Sequence, residues 1–398
     1  MIQKKVPSVR FIDQSDEWVK TRLNKITEII GGGTPDTKQS SYWNGGINWF
    51  SPTEVGKTVY LTKSEKTISQ LGLQKSSAKL LPAFKTILFT SRAGIGDVGI
   101  LTEESATNQG FQSLVVNEET DVYFLYSYTD QIKKYALKHS AGSTFLEISG
   151  KELGKMDLSI PSHSEQQAIG SLFRNLDDLL ASYKDNLANY QSLKATMLSK
   201  MFPKVGHTVP EIRLDGFEGE WENAIINDYV TLLNGRAFKQ DELLNEGKYR
   251  VVRVGNFNTN EKWYYSNLEL EENKYANKDD LLYLWATNFG PEIWKEEKII
   301  FHYHIWKLEF DRSIIDRNYL YYWLEKDKKR IQQNTNGSTM VHVTKSMMEN
   351  REFLFPMYRE QQAIGSYFSN LDNLINSYQD KISQLETLKK KLLQDMFI

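Results

Sequence analysis

The sequence has 398 residues, 40% hydrophobic, 12% aromatic and 25% charged, which fits a soluble protein of at least two domains able to bury sizeable cores. It has no cysteine, which excludes disulfides and thiolate metal sites and suits a reducing cytoplasm. The start, Met1 to Phe11, lacks the apolar core of a signal peptide, no stretch approaches about 18 apolar residues, and a formal net charge of −2 requires any nucleic-acid surface to be local.

Taken in order, the chain opens with Val6-Pro7, Arg10 and Glu17-Trp18, a pattern that returns as Val209-Pro210, Arg213 and Glu220-Trp221 at an offset of 203 (209 − 6). The first region, 1–162, alternates like strands at 86–90 and 113–116, has turn signals at Gly31-Gly32-Gly33 and Asn108-Gln109-Gly110, and allows a short amphipathic helix from Tyr123 to Leu137. It reads as a mixed α/β domain. Gly94-Ile95-Gly96-Asp97-Val98-Gly99 matches the dinucleotide fingerprint, but no helical periodicity follows it, so it reads as a turn between strands. Glu54 and Lys57 stand one residue too far apart for a nuclease carboxylate–lysine pair. Lys133, Lys134, Lys138 and His139 form a basic run that could touch phosphate, as could Lys63 and Lys66.

A long helix is predicted next, over 163–203. Its apolar residues Ile169, Phe173, Leu176, Leu180, Tyr183, Leu187, Tyr190, Met197 and Met201 recur at steps of four and three, broken only at Lys194, where the preceding Leu193 could keep the stripe going. Ser164 with Gln167 supplies a capping box at its start, just after Pro161. About 38 residues at about 1.5 Å each give roughly 57 Å.

The second region, 204–357, reads as another mixed domain, with strands at 249–254 and 298–301, a break at Asn288-Phe289-Gly290-Pro291, and a helix from Asn318 to Ile331. His302 and His304 would share one strand face, yet no third metal ligand is evident. Lys326, Lys328, Lys329 and Arg330 form a second basic run.

The distal segment, 358–398, repeats the long helix. Glu360-Gln361-Gln362-Ala363-Ile364-Gly365-Ser366 duplicates Glu165-Gln166-Gln167-Ala168-Ile169-Gly170-Ser171 at an offset of 195 (360 − 165), and only five of the 19 positions to Tyr378 differ. Its stripe is Ile364, Phe368, Leu371, Ile375, Tyr378, Ile382, Leu385, Leu392 and Met396, broken at Lys389 after Leu388, with Arg359 in place of the capping serine. Gly142-Ser143-Thr144 likewise returns as Gly337-Ser338-Thr339. The frame is repeated, whereas the interiors of the two regions are not.

No Walker-type phosphate loop and no amino-methyltransferase signature occurs, so the chain reads as non-catalytic. Two divergent domains, each framed by Val-Pro-x-x-Arg and Gly-Ser-Thr and followed by Glu-Gln-Gln-Ala-Ile-Gly-Ser and a heptad helix, resemble the specificity subunit of a type I restriction-modification system, over essentially the whole chain. Residues 107–111 and 285–290 also resemble stretches of that family's target recognition domains. The resemblance implies an α+β fold in which two target recognition domains are separated by two long antiparallel helices forming a coiled coil, as a pseudo-twofold tandem repeat. It implies that each domain reads one half of a bipartite double-stranded DNA target while the helices set the spacing and dock two methyltransferase subunits, with restriction subunits in the full complex. S-adenosylmethionine, ATP and magnesium then belong to partner subunits, and this chain carries no cofactor. A non-catalytic coiled-coil scaffold with two protein-binding domains is the alternative.

Base readout needs Arg, Asn, Gln or similar polar side chains aimed at groove edges. The candidates are Ser91, Arg92, Asn108 and Gln109 in the first domain, and Arg250, Arg253, Asn256, Asn288, His302 and His304 in the second. The candidate helix-pairing residues are Ile169, Phe173, Leu176, Leu180, Tyr183, Leu187, Ile364, Phe368, Leu371, Ile375, Tyr378 and Ile382.

Overall fold

The computed structural model describes residues 7–397 except 15, 93, 143–145, 259, 287–288 and 335–342. Two helices of 38 residues, His163–Lys200 and Tyr358–Asp395, fall where the heptad stripes place them. The chain forms two compact units, and each takes part of both long helices: residues 1–185 with 380–398, and residues 186–379. Among the described residues no helix is long and apolar enough to cross a membrane.

In the first unit, the strand Val19–Arg22 pairs antiparallel with Asp157–Ile160 and closes the domain at the foot of the first long helix. A five-stranded sheet runs in the order Thr27–Gly31, Gln112–Val116, Thr86–Phe89, Val98–Leu101, Tyr60–Leu61, and a three-stranded sheet places Trp43–Phe50 between Lys66–Ile68 and Ser105–Thr107. The expected single helix is two, Val122–Ser127 and Thr129–His139. The glycine run at 94–99 is the turn between two antiparallel strands, with Gly94 and Gly96 at φ +119° and +93°. Only glycine adopts such values without strain, so the turn reading holds and the dinucleotide reading does not.

The second unit mirrors the frame but not the sheets. Glu222–Ile225 pairs with Glu352–Phe355 as the closing ribbon. Between them lie two four-stranded sheets, one ordered Val230–Asn234, Ile305–Phe310, Leu281–Leu284, Gly290–Ile293, the other Tyr264–Ser266, Tyr249–Val252, Ile299–Phe301, Tyr275–Ala276. The helix Arg317–Asn334 packs beside them.

The duplicated motif is explained by what it holds. Glu165 and Glu360 are fully buried, and each accepts a bidentate fork from the arginine of the Val-Pro-x-x-Arg motif: Arg10 Nε and Nη2 at 2.6 Å, and Arg213 Nε and Nη2 at 2.8 and 2.7 Å. The next residue does a second job. Gln166 accepts from the Asp121 N–H and donates to the Pro161 carbonyl, as Gln361 does with the Asp316 N–H and the Pro356 carbonyl. Gly170 and Gly365 let Asp121 and Asp316 approach; any Cβ at Gly170 would collide with the Asp121 carboxylate that caps the helix Val122–Ser127.

The serine cap differs from the expected one. Ser162, not Ser164, precedes the first long helix, its hydroxyl accepting from the Glu165 N–H, and Met357 takes that place in the second copy. The Glu165 carboxylate is held by Arg10, so Glu165 joins the cap through its backbone N–H alone.

Nine of the twelve seam residues, Ile169, Phe173, Leu176, Leu180, Ile364, Phe368, Leu371, Ile375 and Ile382, are buried, and three, Tyr183, Leu187 and Tyr378, are half-buried. In the first unit the ring of Phe173 stacks on Phe397 at 5.8 Å; in the second Phe368 stacks on Phe202 at 6.1 Å and Tyr190 meets Tyr378 at 5.4 Å. These contacts set the two helices antiparallel within each unit. The expectation that Leu193 and Leu388 fill the seam breaks is overturned, for both are exposed. The lysines themselves turn inward: Lys194 lies 2.5 Å from Asp372, and Lys389 pairs with Asp177. Each aspartate also accepts a tyrosine hydroxyl at 2.8 Å, Tyr123 on Asp177 and Tyr322 on Asp372.

Candidate nucleic-acid interface

The first domain's loop cluster forms because two glycines, Gly32 and Gly33, let their segment approach its neighbours closely. Gly33 donates its N–H to the Thr107 carbonyl at 2.8 Å, and Gly32 lies flush against the Asn108 carbonyl, where no side chain fits. Asn108 spends its side chain locally, Oδ1 accepting from the Gly110 N–H at 2.7 Å, so it shapes the turn. Gln109 stands exposed at the tip, its Oε1 taken by the Thr34 hydroxyl. Arg92 reaches the same place, with Nε 3.6 Å from where a Cβ on Gly110 would sit. Ser91 does not join them: it is fully buried, its backbone bonded to Gly110 and Ile148.

In the second domain, Arg250 is held by Glu296 at 2.5 Å and lies 4.9 Å over the Trp263 ring. Asn256 is engaged at both ends of its amide: Oδ1 accepts from the Arg253 N–H at 3.0 Å, while Nδ2 donates to the carbonyls of Asn260 and Lys262 at 3.2 and 3.1 Å. It organises the loop. Asn288 lies outside the described residues. His302 and His304 flank the tight turn between Ile299–Phe301 and Ile305–Phe310, with ring centroids 5.2 Å apart and the Tyr303 side chain exposed between them. Burial pushes His302 down to about 4, helped by the nearby charges of His304 and Arg253, so the ring is neutral near pH 7.

Arg253 differs from its neighbours. Its guanidinium lies 4.7 Å over the Tyr264 ring, and the Lys262 ammonium lies 4.9 Å over the same ring. Neither Lys262 nor Tyr264 stood out in the sequence; the signal was the mixed basic–aromatic run Lys262-Trp263-Tyr264.

A charge census separates structural cations from available ones. Of the 13 arginines, nine form ion pairs within their own unit: Arg10, Arg22, Arg213, Arg236, Arg250, Arg312, Arg317, Arg330 and Arg351. Among the described residues four have no carboxylate partner: Arg174 and Arg359 on the long helices, Arg92 in the first domain and Arg253 in the second. Each domain thus keeps one arginine uncompensated.

The basic runs of the sequence fare otherwise. Lys133 pairs with Asp97 at 3.6 Å, and Arg330 with Asp327 at 3.0 Å. Lys326 donates to the Pro203 carbonyl at 2.6 Å, and burial pushes its ammonium down to about 8. These groups serve the fold. Among the described residues no cluster of three His, Asp or Glu side chains is placed to hold a metal.

Comparison with known proteins agrees with this frame. The chain matches the family described as type I restriction modification DNA specificity domain twice, over residues 15–190 and 218–387. It is 25% identical over 410 residues to the type I restriction enzyme MjaIX specificity subunit of Methanocaldococcus jannaschii, covering 95% of this chain and 92% of that one. It is 31% identical over 180 residues to the EcoR124I/EcoR124II specificity subunit of Escherichia coli, covering 43% of each. Its fold resembles the crystal structure of a type I restriction-modification S subunit from M. genitalium, with a TM-score of 0.64, 16% identity and 99% of both chains covered. The double family match leaves no room for a generic protein-binding scaffold. The chain belongs to the type I restriction-modification DNA specificity family and is the non-catalytic subunit that gives such a system its DNA target.

Proposed function

We propose that each domain reads one half of a bipartite duplex target, and that the paired long helices fix the separation of the two readers and carry the methyltransferase subunits. The observation that carries this reading is a repeated frame around unrepeated sheets: the same Arg–Glu fork and closing ribbon surround a five-plus-three-stranded arrangement in one domain and a four-plus-four arrangement in the other. Two different half-sites require two different reading surfaces on one scaffold. The uncompensated Arg92 and Arg253, one in each domain, provide cationic fork donors for those surfaces, with Gln109 beside Arg92, and His302 and His304 near Arg253. Methyl transfer and cleavage, with their S-adenosylmethionine, ATP and magnesium, belong to partner subunits.

The test is single-molecule sequencing of genomic DNA for methylated adenine, comparing cells that carry this gene and its partner genes with cells lacking only this gene. A gapped two-part motif that disappears with the gene supports the reading. Methylation that persists unchanged, or an ungapped motif, overturns it. A net charge of −2 supplies little general attraction to phosphate, so the isolated chain should bind duplex weakly and bind better with its methyltransferase partner across a salt series.

A further inference from the structure

Given that the second domain reads one half-site, we infer that Arg253 is its specificity-determining residue and that it reads a guanine from the major groove, positioned by Tyr264 and by the loop that Asn256 ties. Four observations lead there. Arg253 is the only one of eight arginines between 204 and 357 without an ion pair among the described residues, the others being Arg213, Arg236, Arg250, Arg312, Arg317, Arg330 and Arg351. None of its side-chain N–H donors is hydrogen-bonded among those residues, although the side chain is only half-exposed. Its backbone is fixed, because the Arg253 N–H donates to Asn256, whose amide ties down Asn260 and Lys262. Its guanidinium rests over Tyr264 at 4.7 Å, so an aromatic face holds the charge without consuming the fork.

A preorganised, unconsumed fork is the group that matches the O6 and N7 acceptors of guanine, and little side-chain entropy remains to be lost on contact. Arg250, three residues earlier in the chain, is disqualified by Glu296, which already occupies its fork. Lys262, a point charge 4.9 Å from the centroid of the same ring, suits the neighbouring phosphate rather than a base edge. Asn256 and Tyr264 are positioning residues: they act on DNA only through Arg253.

The experiment uses the complex of the full chain with its methyltransferase subunits, bearing Arg253→Ala or Arg253→Lys. Motif sequencing is expected to show one guanine position relaxed in one half-site, with the other half and the gap unchanged. In duplex titrations Arg253→Ala should lose roughly 5- to 150-fold on the cognate site, the span expected for one bidentate contact. Replacing that guanine by 7-deazaguanine, which lacks N7, should weaken the wild type and leave Arg253→Ala unaffected. Arg253→Lys should stay discriminating-deficient despite retaining charge, and Tyr264→Phe should read normally because the ring survives. Equal losses on cognate and unrelated duplexes, with the salt slope reduced by about one, would make Arg253 a phosphate contact and overturn the inference, as would a half-site unchanged in both variants. The absence of any gapped motif in the wild type would instead sink the two-reader assignment itself.

Discussion

The Lys194 ammonium lies 2.5 Å from the Asp372 carboxylate, at the position where the first heptad stripe breaks, and Tyr322 donates its hydroxyl to the same carboxylate. Both charged side chains are largely withdrawn from water, at 19% and 28% exposure. A pair of this kind adds little net stability, but either partner left alone is costly, so it favours one register of the helices over its slipped neighbours. Asp372→Ala strands both Lys194 and the Tyr322 hydroxyl and should cost about 2–4 kcal/mol; Lys194→Met should cost about 1–2 kcal/mol. Urea unfolding of the two single variants and the double variant should give a coupling of about 0.5–3 kcal/mol; purely additive losses would show that the pair does not act as a unit.

The Arg10–Glu165 fork couples the start of the chain to the first long helix. Glu165 is fully buried, so Glu165→Ala leaves an uncompensated guanidinium and should destabilise the first unit by about 3–5 kcal/mol. Glu360→Ala should do the same in the second unit, where Arg213 loses its partner. Hydrogen exchange resolved by unit is the readout, and equal deprotection of both units by one variant would contradict the assignment.

The two duplicated glycines should respond unequally. Gly170→Ala drives a methyl into the capping carboxylate of Asp121 and should cost about 1–3 kcal/mol by overpacking. At Gly365 the nearest atom, Asp316 Oδ1, would be 2.8 Å from the new Cβ, so the shift needed is smaller and the improved helix propensity offsets part of it. Thermal unfolding should rank Gly170→Ala below Gly365→Ala; the opposite order would mean that Asp121 relaxes more easily than Asp316.

Acid should weaken the second domain through His302. The folded state holds this ring down at about 4 against an ordinary 6.5 in the unfolded chain. Between those values the unfolded chain binds a proton that the folded chain resists, so stability falls as pH drops from about 6.5 towards 4 and is unaffected above that window. Half the ring faces solvent, which limits the effect to about 1 kcal/mol. His302→Asn should flatten that slope in urea midpoints measured across pH, and an unchanged slope would assign it to other groups.

If the helices set the spacing, lengthening them should move the gap and nothing else. Four residues inserted after Leu187 add about 6 Å of helix, close to two base pairs of duplex. Motif sequencing should then report a longer gap between identical half-sites. Altered half-sites would separate helix length from spacing.

The frame was legible because the long helices and the Glu-Gln-Gln motif are short-range signals that occur twice, and the glycine turn at 94–99, which occurs once, is equally local. What periodicity could not show was the long-range partner. Lys194 and Lys389 looked like faults in the stripe because Asp372 and Asp177 lie far away in sequence, and Ser164 looked like the cap because nothing local reveals that Arg10 takes Glu165. In the recognition loops, residue type alone did not show that the Ser91 side chain is buried or that the side-chain oxygens of Asn108 and Asn256 accept from neighbouring backbone N–H groups. Arginine candidates were separated only by seeing which carboxylates were already committed: Glu296 removes Arg250, and among the described residues no carboxylate removes Arg92 or Arg253.

Phe397 packs against Phe173, Trp18 and Phe124 in the core of the first unit, where Phe202 serves the second. Phe397 follows Phe173 by 224 residues (397 − 173), whereas Phe202 lies close to its own domain in sequence. During synthesis on the ribosome the two domains therefore mature out of order. The second pairs Phe202 with Phe368, 166 residues on (368 − 202), whereas the first must wait, with Trp18 and Phe124 unsealed, until Phe397 has been made, 379 residues after Trp18 (397 − 18). Losing Phe397 would injure the domain that was translated first.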